Sequence, residues 1–475
     1  MPALMLSVAF YTFADLGLIS SVDGVFFAVA SSLFKPRWAP CLLVLLISVH
    51  DSPGMATPSL YLGVAGVAMS MILHDWKTSQ QVIHQPGMLG SIGRPVTLML
   101  RMVFWMTLYG IVMSFLQDNL FGREQSADRN YALVGLLMLG MAISAYVACR
   151  RLVADAAMLK MFRMVCMFAL AHIILVALMQ ILYGPMFGAS SRGMLEISSA
   201  SQLIDISDRG ISRLTGPFLT PNNLAYVPAA ILLMILWTIH SKNIPTWFLL
   251  VYISAGNLLA LLGASRSMMV FFCLTSGIMT WYKSRLMSSL LIAFSFGVII
   301  LMSVNTAEMT LYTRMENLDF TNSTRHLLWQ SVIEDFQLHD WLFGVGLTHW
   351  DFLFYHVYSV DRVSDPHNWI LSVVGMFGVL GLLFYLRFAY YLANVYWGTG
   401  MRTRRAMALS IFILFFLRDF IGVQYIFNNH PNACLSWLLV CLVFSTPMTV
   451  QGKSDFQFSR DTKKGIRHRG YAKAI

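Results

Sequence analysis

Apolar runs recur along the whole chain, each approaching the ~30 Å thickness of a bilayer's hydrocarbon core and separated from the next by short polar punctuation. They predict helices near residues 40–50, 58–74, 96–117, 131–149, 162–183, 217–239, 246–264, 268–282, 287–305, 369–393, 406–425 and 433–447. The first 34 residues hold one or two more, because Asp15, Gly17 and Asp23 interrupt an apolar stretch without a clear stop. No small-residue cleavage site follows a basic segment there, so the stretch reads as retained membrane structure rather than a signal peptide. The pattern predicts an all-α polytopic membrane protein with about 12–14 transmembrane helices.

Composition sharpens this picture. Of the 475 residues, 57% are hydrophobic and 12% charged, against roughly 25% charged in an ordinary soluble domain. Residues 1–475 read as a single integral membrane domain whose partner is the lipid bilayer. Two polar interruptions stand out by length, about 184–216 and about 306–368. The second contains TRHLLWQSVIEDFQLHDWLFGVG, with tryptophans and leucines at helical spacing, and predicts a partly helical periplasmic lid over the outer face.

Charge sets the orientation. With the basic tail 448–475 placed in the cytoplasm and the loops alternating backwards from it, twenty-one lysines and arginines fall inside and nine outside. The nine are Arg123, Arg129, Arg192, Arg209, Arg213, Arg266, Arg314, Arg325 and Arg362. All are arginines. A plain positive-inside bias does not choose between lysine and arginine, whereas bidentate recognition of phosphate does. The net charge of +10 owes much to the tail, which reads as a solvated end meeting anionic headgroups, so no nucleic-acid partner is expected. The six cysteines lie within or at the ends of apolar runs and carry neither a disulfide framework nor zinc spacing.

Arg213 precedes GPFLTPNNLA, Arg266 sits in GASRSMM between two tightly joined helices, and Arg325 lies in the lid. Together with His367 they are the candidates for one outer-face site. Such a set suits a pyrophosphate: two phosphates need several bidentate cations, and a hydroxyl attacking beside them needs a base with a pKa near neutral, which histidine supplies. The loop histidines His326, His339, His349 and His356 form no H-E-x-x-H pair and have no cysteine nearby, so no metal site is expected.

The stretch PHNWILSVVGMFGVLG, residues 366–381, has the form His-Asn, nine residues, Gly-x-x-Gly. It resembles the signature of bacterial O-antigen ligases, echoed in O-antigen and exopolysaccharide polymerases. RLTGPFLTPNNLA, GASRSMM, and STRHLLW followed by LFGVGLTHWDF resemble further segments of that superfamily in the same chain order, over roughly residues 210–390. The resemblance implies a metal-independent glycosyltransferase without cofactor in the bacterial inner membrane. It would take a glycan from undecaprenyl pyrophosphate and pass it, on the periplasmic side, to a hydroxyl of an acceptor glycolipid. His367 would be the base that deprotonates the acceptor, and Arg213, Arg266 and Arg325 would hold the leaving pyrophosphate. Asn368 would orient the sugar or the imidazole, and Asp365 or Asp361 would hold a ring nitrogen. Gly378 and Gly381 would be structural members that let helices approach beneath the site.

Structural alternatives stand beside these roles. His367 is also readable as an interfacial histidine, Arg266 as a snorkelling one, and Arg213 and Arg325 as lid salt bridges. Arg418, beside Asp419 inside an apolar run, is an intramembrane charge and so a candidate for substrate contact, as is Arg209, although a paired structural role suits Arg418 as well. Three functions compete. The leading one is polymerisation of lipid-linked repeats, working alongside a chain-length regulator and a flippase. The second is ligation of finished glycan to lipid A-core or protein. A glycolipid transporter is the third, disfavoured because no pair of Gly/Pro-broken helices recurs in corresponding halves.

The charge asymmetry is tested by topology. Reporter fusions after Arg405 and after Lys464 are expected to read cytoplasmic, and fusions near Gln202 and Thr348 periplasmic; cytoplasmic signals at the last two would overturn the orientation.

Overall fold

The computed structural model describes residues 38–49, 57–82, 91–120, 131–183, 214, 216–218, 221–239, 243–263, 265–285, 329–330, 333–334, 336–347, 368–418, 426–427 and 432–446. The first 34 residues, the expected helix at 287–305, the basic tail and most of the two long interruptions lie outside the described residues.

The helices are α1 (Ala39–Val49), α2 (Thr57–Val82), α3 (Arg94–Leu120), α4 (Tyr131–Ala154), α5 (Ala156–Tyr183), α6 (Pro221–Thr238), α7 (Thr246–Leu262), α8 (Arg266–Trp281), α9 (Leu338–Phe343), α10 (Trp369–Gly398), α11 (Arg402–Phe412) and α12 (Asn432–Val443). A π-helical turn, Ile413–Arg418, continues α11, and two-residue strands β1 (Ser91–Ile92) and β2 (Ser445–Thr446) pair antiparallel. Pro40, Pro58, Pro95 and Pro221 each fall in the first turn of a helix, where a missing N–H has no intrahelical partner to lose.

Among the described residues, four helical stretches are long and apolar enough to cross a membrane: Arg94–Gln117, Tyr131–Ala154, Ala157–Leu182 and Trp369–Gly398. Their outward faces are apolar, as Leu98, Trp105, Leu108, Val112 and Phe115 of α3 illustrate, which is the pattern of a surface solvated by lipid. The chain is a multi-pass, all-α membrane protein. At its centre lie α6 and α12, buried on every side from Asn223 to Ile239 and from Asn432 to Val443. In lipid, helix association rests on close packing rather than on exclusion of water. The face that α4 buries, rich in Gly135, Ala142, Ser144, Ala145 and Ala148, gives α12 that closeness.

The two ends of the bundle differ. At the end bearing β1 and β2, arginines cap helix carbonyls: Arg404 donates to Val443 O (3.1 Å) and Ser445 O (2.7 Å), and Arg402 to Tyr282 O (2.9 Å). Cations there complement the negative ends of helix dipoles. The chain turns that carry Arg94, Arg150, Arg151, Lys160, Arg163, Lys283 and Arg285 fall at this same end.

The run predicted as one continuous helix over 369–393 is broken at Gly378, whose φ of 60° and ψ of −150° lie in a region open essentially to glycine alone. The two halves fold back on each other. Residues eight apart in a straight helix are separated by about 12 Å along the axis, yet a Cβ on Gly381 would lie 2.7 Å from the Val373 carbonyl oxygen. Trp369 and Tyr385, about 24 Å apart in a straight helix, stack with ring centroids at 4.7 Å. Into the break comes the segment FGVG from the second interruption. Val345 N donates to Gly375 O at 2.6 Å, and Leu347 N to Ser114 Oγ at 2.8 Å.

Gly378→Ala adds a Cβ where Leu342 O would lie at 2.2 Å, on a backbone whose strain for a non-glycine is about 1–3 kcal/mol. A clearly lower thermal midpoint and less monodisperse protein in detergent are expected, while Gly140→Ala, which meets nothing within 4 Å, stays at wild type. Equal melting of both variants would mean that the break is not needed.

Candidate functional site

Opposite the arginine-capped end lie the starts of α6, α8, α10 and α12. Tyr226 in the second turn of α6 ties α6 to α12 and to the end of the π-helical turn. Its hydroxyl hydrogen-bonds the Ser436 hydroxyl on α12, and the Arg418 guanidinium lies over its ring at 5.3 Å. Arg418 ends the π-helical turn and is 3% exposed. Two residues before it, Phe416 O accepts from Trp369 Nε1 at 3.0 Å, and the Phe416 and Trp369 rings meet edge to face. The start of α10 is thereby fixed to the end of α11. Asn432, the first residue of α12, is buried in the same region.

The start of α8 joins this end through backbone. Leu214 N donates to Leu262 O at 3.2 Å, where α7 finishes and four residues before Arg266 opens α8. Gln180 of α5 grips the same segment from the other side: its Nε2 donates to Gly216 O (3.0 Å), and its Oε1 accepts from Gly216 N (2.8 Å). A Cβ on Gly216 would meet Leu224 of α6 at 2.6 Å. The backbone that follows Arg213 is therefore held between α5, α6 and the α7–α8 turn.

Of the residues singled out from sequence, Asn368 and Arg418 are described with their side chains. Arg266 is described as the first residue of α8, its side chain lying outside the described residues. His367, Arg213, Arg325, Arg209 and Asp365 lie outside the described residues. Asn368 is the N-cap of α10. Its Oδ1 accepts from Ile370 N (2.9 Å) and Leu371 N (3.3 Å), and its carbonyl accepts from the Ser372 hydroxyl (2.9 Å). The cap satisfies amides that the first turn leaves without an intrahelical acceptor. Within the second interruption, α9 is a six-residue helix. It is closed by a capping box between Gln337 and the buried Asp340, which also pairs with His339 Nε2 at 3.3 Å.

This arrangement can hold an anion. Helix N-termini carry partial positive charge and unsatisfied amides, and a buried guanidinium adds a full charge. Tyr226, Ser436, Asn432 and Gln180 were not singled out from the sequence. For Asn432 a signal exists, a proline followed within two residues by asparagine, which recurs in PNN at 221, PHN at 366 and PN at 431, each at a helix start; Tyr226, Ser436 and Gln180 carry none.

The sequence of residues 248–386 matches a family model described as O-antigen ligase. The match runs from α7 through α8 and α9 past the break in α10, so it takes in Arg266, Arg325, Asp365, His367, Asn368 and Gly378 and leaves Arg209, Arg213 and Arg418 outside. Compared with curated proteins, the chain matches none. The matched segment is thus the part of the bundle that builds the broken helix and the start of α8, and over these residues the chain is similar to the O-antigen ligase family.

Proposed function

We propose that the protein polymerises lipid-linked oligosaccharide repeats, O-antigen or exopolysaccharide, on the periplasmic side of a bacterial inner membrane. The observation that carries this reading is the gathering, at the end away from the capping arginines, of the chain after Arg213, the start of α8 at Arg266, and Asn368 directly after His367. An undecaprenyl-pyrophosphate-linked glycan is the donor. The His367 imidazole takes the proton of an acceptor hydroxyl as that oxygen bonds to the anomeric carbon. The bond from that carbon to the pyrophosphate oxygen breaks, and undecaprenyl pyrophosphate leaves with the electron pair. Arg213, Arg266 and Arg325 neutralise the departing charge in place of a metal ion, with Arg418 and Arg209 as further contacts. Asp365 steadies the imidazole. A chain-length regulator and a flippase are the expected partners.

Ligation of finished glycan to lipid A-core or protein uses the same chemistry, and the description of the matched family, O-antigen ligase, favours it as the second reading. Transport of glycolipid is the weakest reading, since no pair of Gly/Pro-broken helices recurs in corresponding halves of the sequence.

Purified protein given lipid-pyrophosphate glycan and acceptor tests the chemistry. His367→Gln keeps much of the side chain's shape but takes no proton, so transfer falls by roughly 10²-fold or more while donor binding survives. Lysine in place of Arg213, Arg266 or Arg325 keeps the charge, loses the forked hydrogen bonds and lowers transfer. Undiminished turnover in His367→Gln would return the histidine to an interfacial role, and activity abolished by a chelator would overturn the metal-free assignment.

Asn368 separates capping from substrate contact. Asn368→Ala is expected to cost about 1 kcal/mol of stability, and Asn368→Asp, which keeps an acceptor at the cap, to restore it. Transfer that recovers along with stability assigns Asn368 to positioning of α10; transfer that stays low in a stable Asn368→Asp protein assigns its Nδ2 to the substrate.

A further inference from the structure

At the end capped by arginines, away from the proposed site, a cleft of about 440 Å³ opens between α5 and α7. It is lined by Arg163, Met164, Met167, Phe168, Ala171 and Trp247. The first five lie along one face of α5, at steps of one, three, one and three residues, and Trp247 is the second residue of α7. The wall is hydrocarbon and open to the surface: Met164 is 48% and Trp247 44% exposed. The mouth is cationic. Arg163 is half-buried and, among the described residues, has neither a hydrogen-bond nor an ion-pair partner. Lys160, one turn earlier on α5, is exposed, and the Lys283 ammonium hydrogen-bonds the Thr246 hydroxyl at the first residue of α7.

A half-buried guanidinium set at the rim of an apolar cleft on a lipid-facing surface fits one class of molecule: an amphiphile with a negative head and an apolar tail. We propose that this cleft binds an anionic phospholipid from the leaflet at that end of the bundle. The phosphate meets Arg163 and Lys160, and one acyl chain runs along Met164, Met167, Phe168 and Ala171. The Trp247 indole marks the boundary between headgroup and tail, where tryptophan is favoured. A free anion would leave the hydrocarbon wall bare. A zwitterionic phospholipid brings the same tail but its own ammonium, which competes with Arg163 for the phosphate. None of these residues belongs to the proposed glycan-transfer site, so the inference stands or falls separately from that reading.

Titration of the purified full-length protein with brominated phosphatidylglycerol or brominated phosphatidylethanolamine, read by tryptophan quenching, tests it. A component of quenching that disappears in Trp247→Phe is expected, half-saturated at about fivefold lower phosphatidylglycerol than phosphatidylethanolamine. Arg163→Gln should bring the two lipids together, and Arg163→Lys should keep most of the difference, which guards against a folding defect in the glutamine variant. Equal titration by both lipids in the wild type would overturn the proposal. So would quenching unchanged in Trp247→Phe, or a preference that survives Arg163→Gln.

Discussion

A backbone group that leaves the helical ladder inside an apolar layer must find its partner within the protein, because each unsatisfied one costs several kcal/mol there. Among the described residues, four irregular points are met by a donor or acceptor from a different element. Gly375 O at the break of α10 accepts from Val345, and Phe416 O in the π-helical turn accepts from Trp369. Gly216, in the segment before α6, is held at both its N–H and its carbonyl by Gln180. Ile426 O accepts from Trp437 Nε1 at 3.0 Å. The consequence is architectural: the same bonds that make the irregular backbone tolerable tie together the end where α6, α8, α10 and α12 begin.

Most helices were legible because hydropathy and proline agree on where they start. The expected helices at 246–264 and 433–447 are observed as Thr246–Leu262 and Asn432–Val443. The break at Gly378 was not legible in the same way. A hydropathy run of this length reads as one helix whatever its dihedral angles, and the glycines at 375, 378 and 381 are apolar positions like any other. Their meaning depends on a segment some thirty residues earlier in the chain that packs against them, and no local pattern reports such a contact. The π-helical turn escaped notice for the same reason, since 406–425 reads as a single run.

The site divides along the same line. Arg266 and Asn368 were legible as residues at helix mouths, and the structure has each at a helix start. Tyr226, Ser436 and Gln180 were not, because a lone polar residue inside an apolar run gives no clue to its partner. Their importance comes from pairs 210 and 36 residues apart. Arg418 is an intermediate case: its charge within an apolar run was conspicuous, and the partner found over its guanidinium is an aromatic ring on another helix.

The fold of α10 also sets the depth of its first residue. From Gly398 back to Tyr385 the helix is unbroken, and thirteen residues carry the chain about 20 Å. Trp369 stacks on Tyr385, so Asn368 lies at about that height. With Gly398 set at one boundary of a hydrocarbon layer of ~30 Å, the start of α10 is recessed by about 10 Å from the other. A straight helix of the same thirty residues would span about 45 Å and lift Asn368 clear of the layer into water. Recession changes the electrostatics. Charges that meet away from bulk water interact several-fold more strongly than at an exposed surface, so on the proposed reading arginine, always protonated and able to fork onto phosphate oxygens, would be a sufficient counter-charge for a pyrophosphate on a lipid carrier.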